Sequence, residues 1–202
     1  MVKVSKQQAE QNRARIVTEA ARLFRERGLG GVGVDALTKA AGLTHGSLYS
    51  RFGSKDELTA AALAEALRRG GESLYPPDAA SRPDAFETVI NRYLSTAHRD
   101  APGGGCALAA VGCEVARQAP AVRRVLTEGV KNSAGRLSRV LPERNRPEEA
   151  ASDGSPPDRA LAILASMVGA LILSRAVDDP ELSERILDAS RRRIIGRNPE
   201  TS

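Results

Sequence analysis

Tryptophan is absent from this 202-residue chain, and aromatic residues make up only 3% of it. A core built on stacked rings is therefore excluded, as is a ligand site that depends only on them. Two cysteines are too few for a disulfide framework in a chain of this length, which makes a reducing compartment the expectation. Only two histidines occur, His45 and His98, and neither stands at metal-ligand spacing with Cys106 or Cys113. No metal or other cofactor is expected. The segment Met1 to Gln8 is polar and no apolar h-region follows it, so no signal peptide is expected and the cytoplasm is the expected location. The longest apolar run, Ala160 to Leu173, is about fourteen residues, which suits a buried helix better than a bilayer span and leaves no membrane partner expected. No nucleophile elbow, Walker loop or paired-carboxylate signature appears, and an enzyme is not expected.

What is abundant points to helices. Hydrophobic residues make up 41% of the chain, Ala, Leu, Arg and Glu dominate, and alternating β-branched runs are few. The net charge of +5 is concentrated. Residues 1 to 56 carry ten Lys and Arg against five acids, whereas residues 57 to 202 carry twenty of each. A basic surplus confined to one segment supplies the sequence-independent part of an affinity for DNA.

That segment contains the most informative run of the chain, Gly42 to Leu58. Val34 to Ala41 reads as a short helix closed by Gly42, where a left-handed residue fits. Leu43 is an apolar plug, and Thr44 has N-cap character for a second helix over His45 to Phe52. Two short helices around a glycine-containing turn make a helix-turn-helix, whose second helix enters the major groove by its N-terminal residues. Gly46 costs up to about 1 kcal/mol relative to Ala inside a helix, and close approach to DNA would account for it. Tyr49 offers a phosphate donor on a rigid ring. Leu48 and Phe52 face the other way, into a small core. Ser54-Lys55-Asp56-Glu57 reads as a capping box that opens a fourth helix, where free N–H groups and Lys55 suit a phosphate.

The run resembles the DNA-binding end of the TetR (tetracycline repressor) family of bacterial transcription regulators. Ala41, Gly42, Leu43, Thr44, Gly46, Leu48, Tyr49, Phe52, Lys55 and Leu58 match the family pattern in order, and the resemblance covers roughly residues 10 to 60. It implies that Thr44, Tyr49 and Lys55 hold phosphates while His45 and Ser47 point at base edges of double-stranded DNA. One departure is that Val32 and Gly33 stand where members usually carry a Thr or Ser pair. Glycine caps within a few tenths of a kcal/mol of those residues, but it removes a hydroxyl often given to phosphate.

The resemblance implies an all-α chain: a three-helix DNA-binding domain over 1–54 and a ligand-binding and dimerisation domain over 55–202, about nine helices together. Gly28 to Gly33 matches G-x-G-x-x-G literally, but a long amphipathic helix precedes it where a dinucleotide site needs a strand. Helix 1 is expected from Lys6 to Arg27, and helix 4 from Lys55 to about Gly70, where Gly70-Gly71 end or loosen it. Further helices are expected over Pro83 to Arg99, Cys106 to Gln118 and Ala121 to Val140, with a break at Gly103 to Gly105 and a loop from Pro142 to Pro157. Two last helices, about Asp158 to Val177 and Pro180 to Ile195, carry small residues that allow close helix approach; by the resemblance they form a four-helix bundle with a second subunit, giving a homodimer. A small-molecule inducer is expected in an apolar cavity enclosed by the middle helices, with Phe86, Tyr93 and Leu108 as candidate lining. Such a regulator would be a repressor released from a palindromic operator.

The cysteines open an alternative. Seven residues apart on one helix, Cys106 and Cys113 would stand about 10.5 Å apart, beyond disulfide reach. Cys113 reads as a small buried hydrophobe. Cys106 opens its helix after three glycines, where N–H groups favour a thiolate. The run Gly105-Cys106 with Glu114-Val115-Ala116 also looks like a subgroup of the family, some of whose members respond to reactive electrophiles. A thiol-based redox or electrophile sensor acting through Cys106 is therefore the second expectation.

Overall fold

The computed structural model describes residues 6–42, 45–76, 82–142 and 156–196. Among them every regular element is helical: ten α-helices and one short 3-10 turn at Pro102–Gly104. The all-α expectation holds, with ten helices rather than about nine.

The N-terminal helices are α1 (Lys6–Arg27), α2 (Val34–Ala41) and α3 (His45–Phe52). α1 buries Ile16, Ala20, Leu23 and Phe24, the 3.6-residue stripe read from the sequence. α4 (Lys55–Leu74) then runs between the two halves of the molecule, against α1 on one side and α8 (Pro120–Val140) on the other. Its start is fixed by Ser54, whose Oγ accepts from the Glu57 N–H at 3.1 Å.

Gly70-Gly71 does not end α4, which continues to Leu74. A Cβ at position 71 would lie 2.6 Å from the Arg136 guanidinium of α8, the mobile end of a long side chain, and one at 70 would meet the Gly105 carbonyl at an ordinary 3.6 Å.

The helix expected over Pro83 to Arg99 is two helices, α5 (Ala85–Tyr93) and α6 (Thr96–Asp100). The break falls at Ser95, which is extended (φ −110°, ψ 154°) and caps α6 by accepting from the His98 N–H. α7 (Ala107–Val115) is shorter than expected at both ends, because Cys106 is its extended N-cap and 3-10-type hydrogen bonds at Arg117 and Gln118 end it before Pro120. α9 (Asp158–Ala176) and α10 (Pro180–Ile195) follow, the latter capped by Asp179, which accepts from the Leu182 N–H at 3.0 Å. Most of the loop expected over Pro142 to Pro157, residues 143–155, lies outside the described residues.

Two apolar clusters form the interior. One joins α1 to α4 with Ala107, Val111 and Val115 of α7 and Val122 of α8. The other joins α5 to α10, centred on Ile90, Leu94, Leu137, Met167 and Leu171. Leu67 of α4 and Leu126 of α8 pack against both clusters. The core of the N-terminal helices thus continues past α3 into the second half of the chain. α9 is by length and composition alone apolar enough to cross a membrane. Here its inner face packs in the second cluster, while Leu173 on the opposite face is 56% exposed.

Candidate nucleic-acid interface and inner cavity

The helix pair expected from the sequence forms with the expected bounds. Gly42 closes α2 in the left-handed region (φ 65°, ψ 41°), giving its N–H to the Lys39 carbonyl. At the other end Gly33 caps α2 without a side-chain hydrogen bond, consistent with the missing hydroxyl noted above. α3 is held from behind. Leu48 and Phe52 are buried with Ile16 and Leu37, and the Arg13 guanidinium lies 4.7 Å from the centre of the Phe52 ring. Arg51 reaches back to the Ala9 carbonyl at 3.0 Å, tying α3 to α1. A small helix with so little of its own hydrogen bonding needs such anchors to keep a fixed angle.

Gly46 is exposed, and a Cβ built there would meet nothing within 4 Å. No intramolecular packing among the described residues demands a glycine at that position. Lys55 is exposed at the first position of α4, next to the Ser54 cap. Leu43 and Thr44, and the side chains of His45, Ser47 and Tyr49, lie outside the described residues.

The second feature is a cavity of about 320 Å³ between α4, α5, α6 and the start of α7. Leu67, Leu74, Leu108 and Leu164 give it an apolar wall, and Tyr75, Tyr93, His98 and Cys106 bring polar atoms to it. Of the candidate lining residues, Tyr93 and Leu108 line this cavity. Phe86 is buried in the second core cluster and is not part of the lining. Tyr75 and His98 were not singled out from the sequence. Tyr75 follows the end of a helix and His98 sits in a five-residue one, so neither carries a periodicity signal.

His98 holds the polar side together. Its Nδ1 lies 2.7 Å from the Tyr93 carbonyl, which can only accept, so Nδ1 carries the proton. Nε2 accepts from the Cys106 N–H at 3.0 Å and is therefore unprotonated. The imidazole is neutral. Burial pushes its pKa below the ordinary histidine value, the Tyr93 carbonyl pulls it back, and Arg175 and Arg92 lower it further. The ring also meets Tyr93 edge to face, centroids 4.7 Å apart. Behind it, Arg175 of α9 caps α6 by donating to the carbonyls of His98 (2.8 Å) and Arg99 (2.9 Å).

Cys106 is half-buried at the cavity. Cys113 is exposed, contrary to the expectation of a buried hydrophobe. The buried face of α7 is Ala107, Leu108, Val111 and Val115. Position 113 is two residues on from Val111, some 200° around the helix at 3.6 residues per turn, and so faces outward.

Two hydrogen bonds join cavity and head. Arg25 of α1, 9% exposed, donates from Nε to the Gly103 carbonyl at 2.7 Å. Glu114 of α7 accepts from the Gly30 N–H at 2.9 Å, in the turn between α1 and α2. Neither pairing was visible in the sequence, since each spans about 80 residues.

Comparison with known proteins agrees with this geometry. Residues 16–62 match the family model for bacterial regulatory proteins of the tetR family, and residues 84–190 match the tetracyclin repressor-like C-terminal domain. An HTH-type transcriptional regulator of Mycobacterium tuberculosis, Rv0196, is 30% identical, over 94% of this chain and 97% of its own. Among solved structures, reduced NemR of E. coli superposes with a TM-score of 0.71 at 20% identity, covering 92% of this chain and 96% of its own. A TetR-family regulator of Cytophaga hutchinsonii superposes with a TM-score of 0.70 at 22% identity, covering 98% of this chain and 100% of its own. The chain, with its DNA-binding helix-turn-helix, belongs to the TetR family of bacterial transcription regulators.

Proposed function

We propose that this regulator is a dimeric repressor that leaves a near-palindromic operator when a small molecule fills the inner cavity. The observation that carries the reading is the Arg25–Gly103 hydrogen bond, because Gly103 belongs to the turn that leads into the cavity wall at Gly104 to Cys106. A ligand that moves this turn changes the hold on α1, and α1 carries α3 through Arg51 and Phe52. Two such heads on a symmetric dimer read two half-sites, so a small change in their separation lowers affinity for both at once. The dimer is assigned to α9 and α10, whose outward faces carry Ala162, Ala165, Ser166, Leu173 and Leu182. At the DNA, Thr44, Tyr49 and Lys55 take phosphates, Gly46 lets the backbone approach, and His45 and Ser47 face bases. A cytoplasmic location belongs to the same reading.

The test is selection of duplexes from a random library followed by sequencing. An enriched near-palindrome is expected, and Lys55→Ala should weaken all sequences alike while flattening the salt slope by about one unit. A library with no enriched palindrome overturns the reading.

A second reading is favoured by the place of Cys106, half-buried in the cavity wall with its N–H held by His98. Modification of this thiol by an oxidant or electrophile would put bulk where the ligand otherwise sits. Operator release by oxidant that persists in Cys106→Ser would remove this second reading.

A further inference from the structure

The cavity has two poorly satisfied phenol hydroxyls. The Oη atoms of Tyr75 and Tyr93 are both buried; Tyr75 has no hydrogen-bond partner, and Tyr93, only 2% exposed, faces no oxygen or nitrogen partner but only the Cys106 thiol, a weak acceptor. Both residues line the cavity, and each phenol lies within electrostatic reach of Cys106. A buried hydroxyl without a good partner is costly, so two in one wall call for an explanation from outside the chain.

Much of the rest of the polar wall is already committed. His98 uses both ring nitrogens. Ser95 donates to the Arg92 carbonyl and accepts from the His98 N–H. Ser73 accepts from the Arg92 guanidinium. Of the buried groups the phenols are left to choose a ligand, with the half-buried Ser133 hydroxyl beside them, and what the phenols lack is an acceptor. Burial raises both phenol pKa values, so each stays protonated and donates.

Charge narrows the class further. Among the described residues lining the cavity there is no carboxylate, while Arg92 lines it and Arg175 and Arg25 stand close behind Cys106. A cationic ligand would meet repulsion with no counter-ion. An anion's counter-ion at the cavity would be Arg92, whose side chain is exposed, so that pairing is screened by water. At about 320 Å³ the space is at the small end of ligand sites, which run to about 1,000 Å³.

We infer that the cavity takes a compact, uncharged, mainly apolar molecule bearing a carbonyl oxygen, which the hydroxyls of Tyr75 and Tyr93 receive. This rests on the ligand-responsive reading of the same cavity and names the class of ligand.

The experiment titrates the full-length protein with four molecules of one shape: acetophenone, ethylbenzene, benzoate and benzylamine. Acetophenone should bind at least about fivefold tighter than each of the others, the discrimination of one to two hydrogen bonds. Tyr75→Phe and Tyr93→Phe should each weaken acetophenone by roughly threefold to tenfold and leave ethylbenzene unchanged. Thermal melts of the two variants confirm that they fold, and ethylbenzene binding confirms that the cavity is intact. Equal binding of acetophenone and ethylbenzene, preference for benzoate or benzylamine, or no binding of any of the four overturns the inference. Operator release is measured in parallel. Phenol-dependent binding of acetophenone without release upholds the ligand class and overturns the inducer reading instead.

Discussion

Replacing His98 tests the polar wall of the cavity most directly. His98→Ala leaves the Cys106 N–H without its acceptor and the Tyr93 carbonyl without the imidazole donor, bonds of 3.0 and 2.7 Å. At roughly 1–3 kcal/mol for each unsatisfied buried group, discounted because the site is only partly buried, the loss is about 2–4 kcal/mol. A chain of this size loses about 2–4 °C of melting temperature per kcal/mol, so a drop of about 4–16 °C is expected near pH 7.5. The pH dependence has a definite sign. The folded pKa of His98 lies below its ordinary value of 6.5, so the unfolded chain takes the proton first as pH falls. The stabilisation is complete above about 6.5 and is lost as pH falls from there through the folded value. Carboxylates titrate mainly below about pH 5, which leaves the interval between about 7 and 5 to histidine. His98→Gln, which offers one donor and one acceptor at every pH, should recover part of the stability and remove the loss in that interval. His45→Ala controls for the only other histidine of the chain. A His98→Ala melting point within about 2 °C of the parent, or an unchanged loss toward pH 5 in His98→Gln, would refute the assigned tautomer and its two bonds.

Ser54→Ala removes the cap of α4 and should cost about 1 kcal/mol in urea unfolding; an unchanged midpoint would show that the cap does not stabilise the helix. Gly169→Arg places a charged side chain on the face of α9 assigned to the dimer, and light scattering should report loss of the dimer; a parent chain that is monomeric at micromolar concentration would refute the assignment. Arg25→Met removes a guanidinium whose Nη1 is buried without a partner and whose pKa burial lowers, so stability should hold or rise, while the response of operator binding to a cavity ligand should fall severalfold. An undiminished response in that variant would show that the signal does not pass through Gly103.

The head was legible in the sequence because its signals are local. Gly42, Ser54 and the pair Leu48 and Phe52 each act within one helical turn, and each does in the fold what its spacing implied. The cap at Asp179 and Pro180 was legible for the same reason. The cavity was not, because its polar wall is assembled from the end of α4, α5, α6 and the start of α7. Ser95 is a good N-cap residue type, but no Glu or Gln stands three positions on, and the apolar period of Phe86, Ile90, Tyr93 and Leu94 concealed the break. Gly70-Gly71 misled for the opposite reason. A glycine pair is a local stop signal, yet α4 runs on through it to Leu74, held along its length by α1 and α8.

Distant pairings also decide how a signal could travel. α4 runs from the cap beside the head to the cavity wall at Leu74, so it is one route between them. A straight helix transmits a shift only as a rigid rod, and α4 is pinned along its length by α1 and α8. The bonds from Arg25 to Gly103 and from Gly30 to Glu114 form a second route that does not pass through α4. They hold α1 at its C-terminal end and at the turn that follows, the places where rotation of the head about α4 would change distances most. Gly103 immediately precedes the cavity wall at Gly104 to Cys106, and Glu114 stands on the same short helix that Cys106 caps and Leu108 opens. A ligand that tilts α7 would act on both bonds together. Breaking one bond should therefore weaken coupling, and breaking both should leave a protein that still binds DNA and ligand but no longer lets one affect the other. A double variant, Arg25→Met with Glu114→Gln, that keeps full ligand response would return the whole of the coupling to α4.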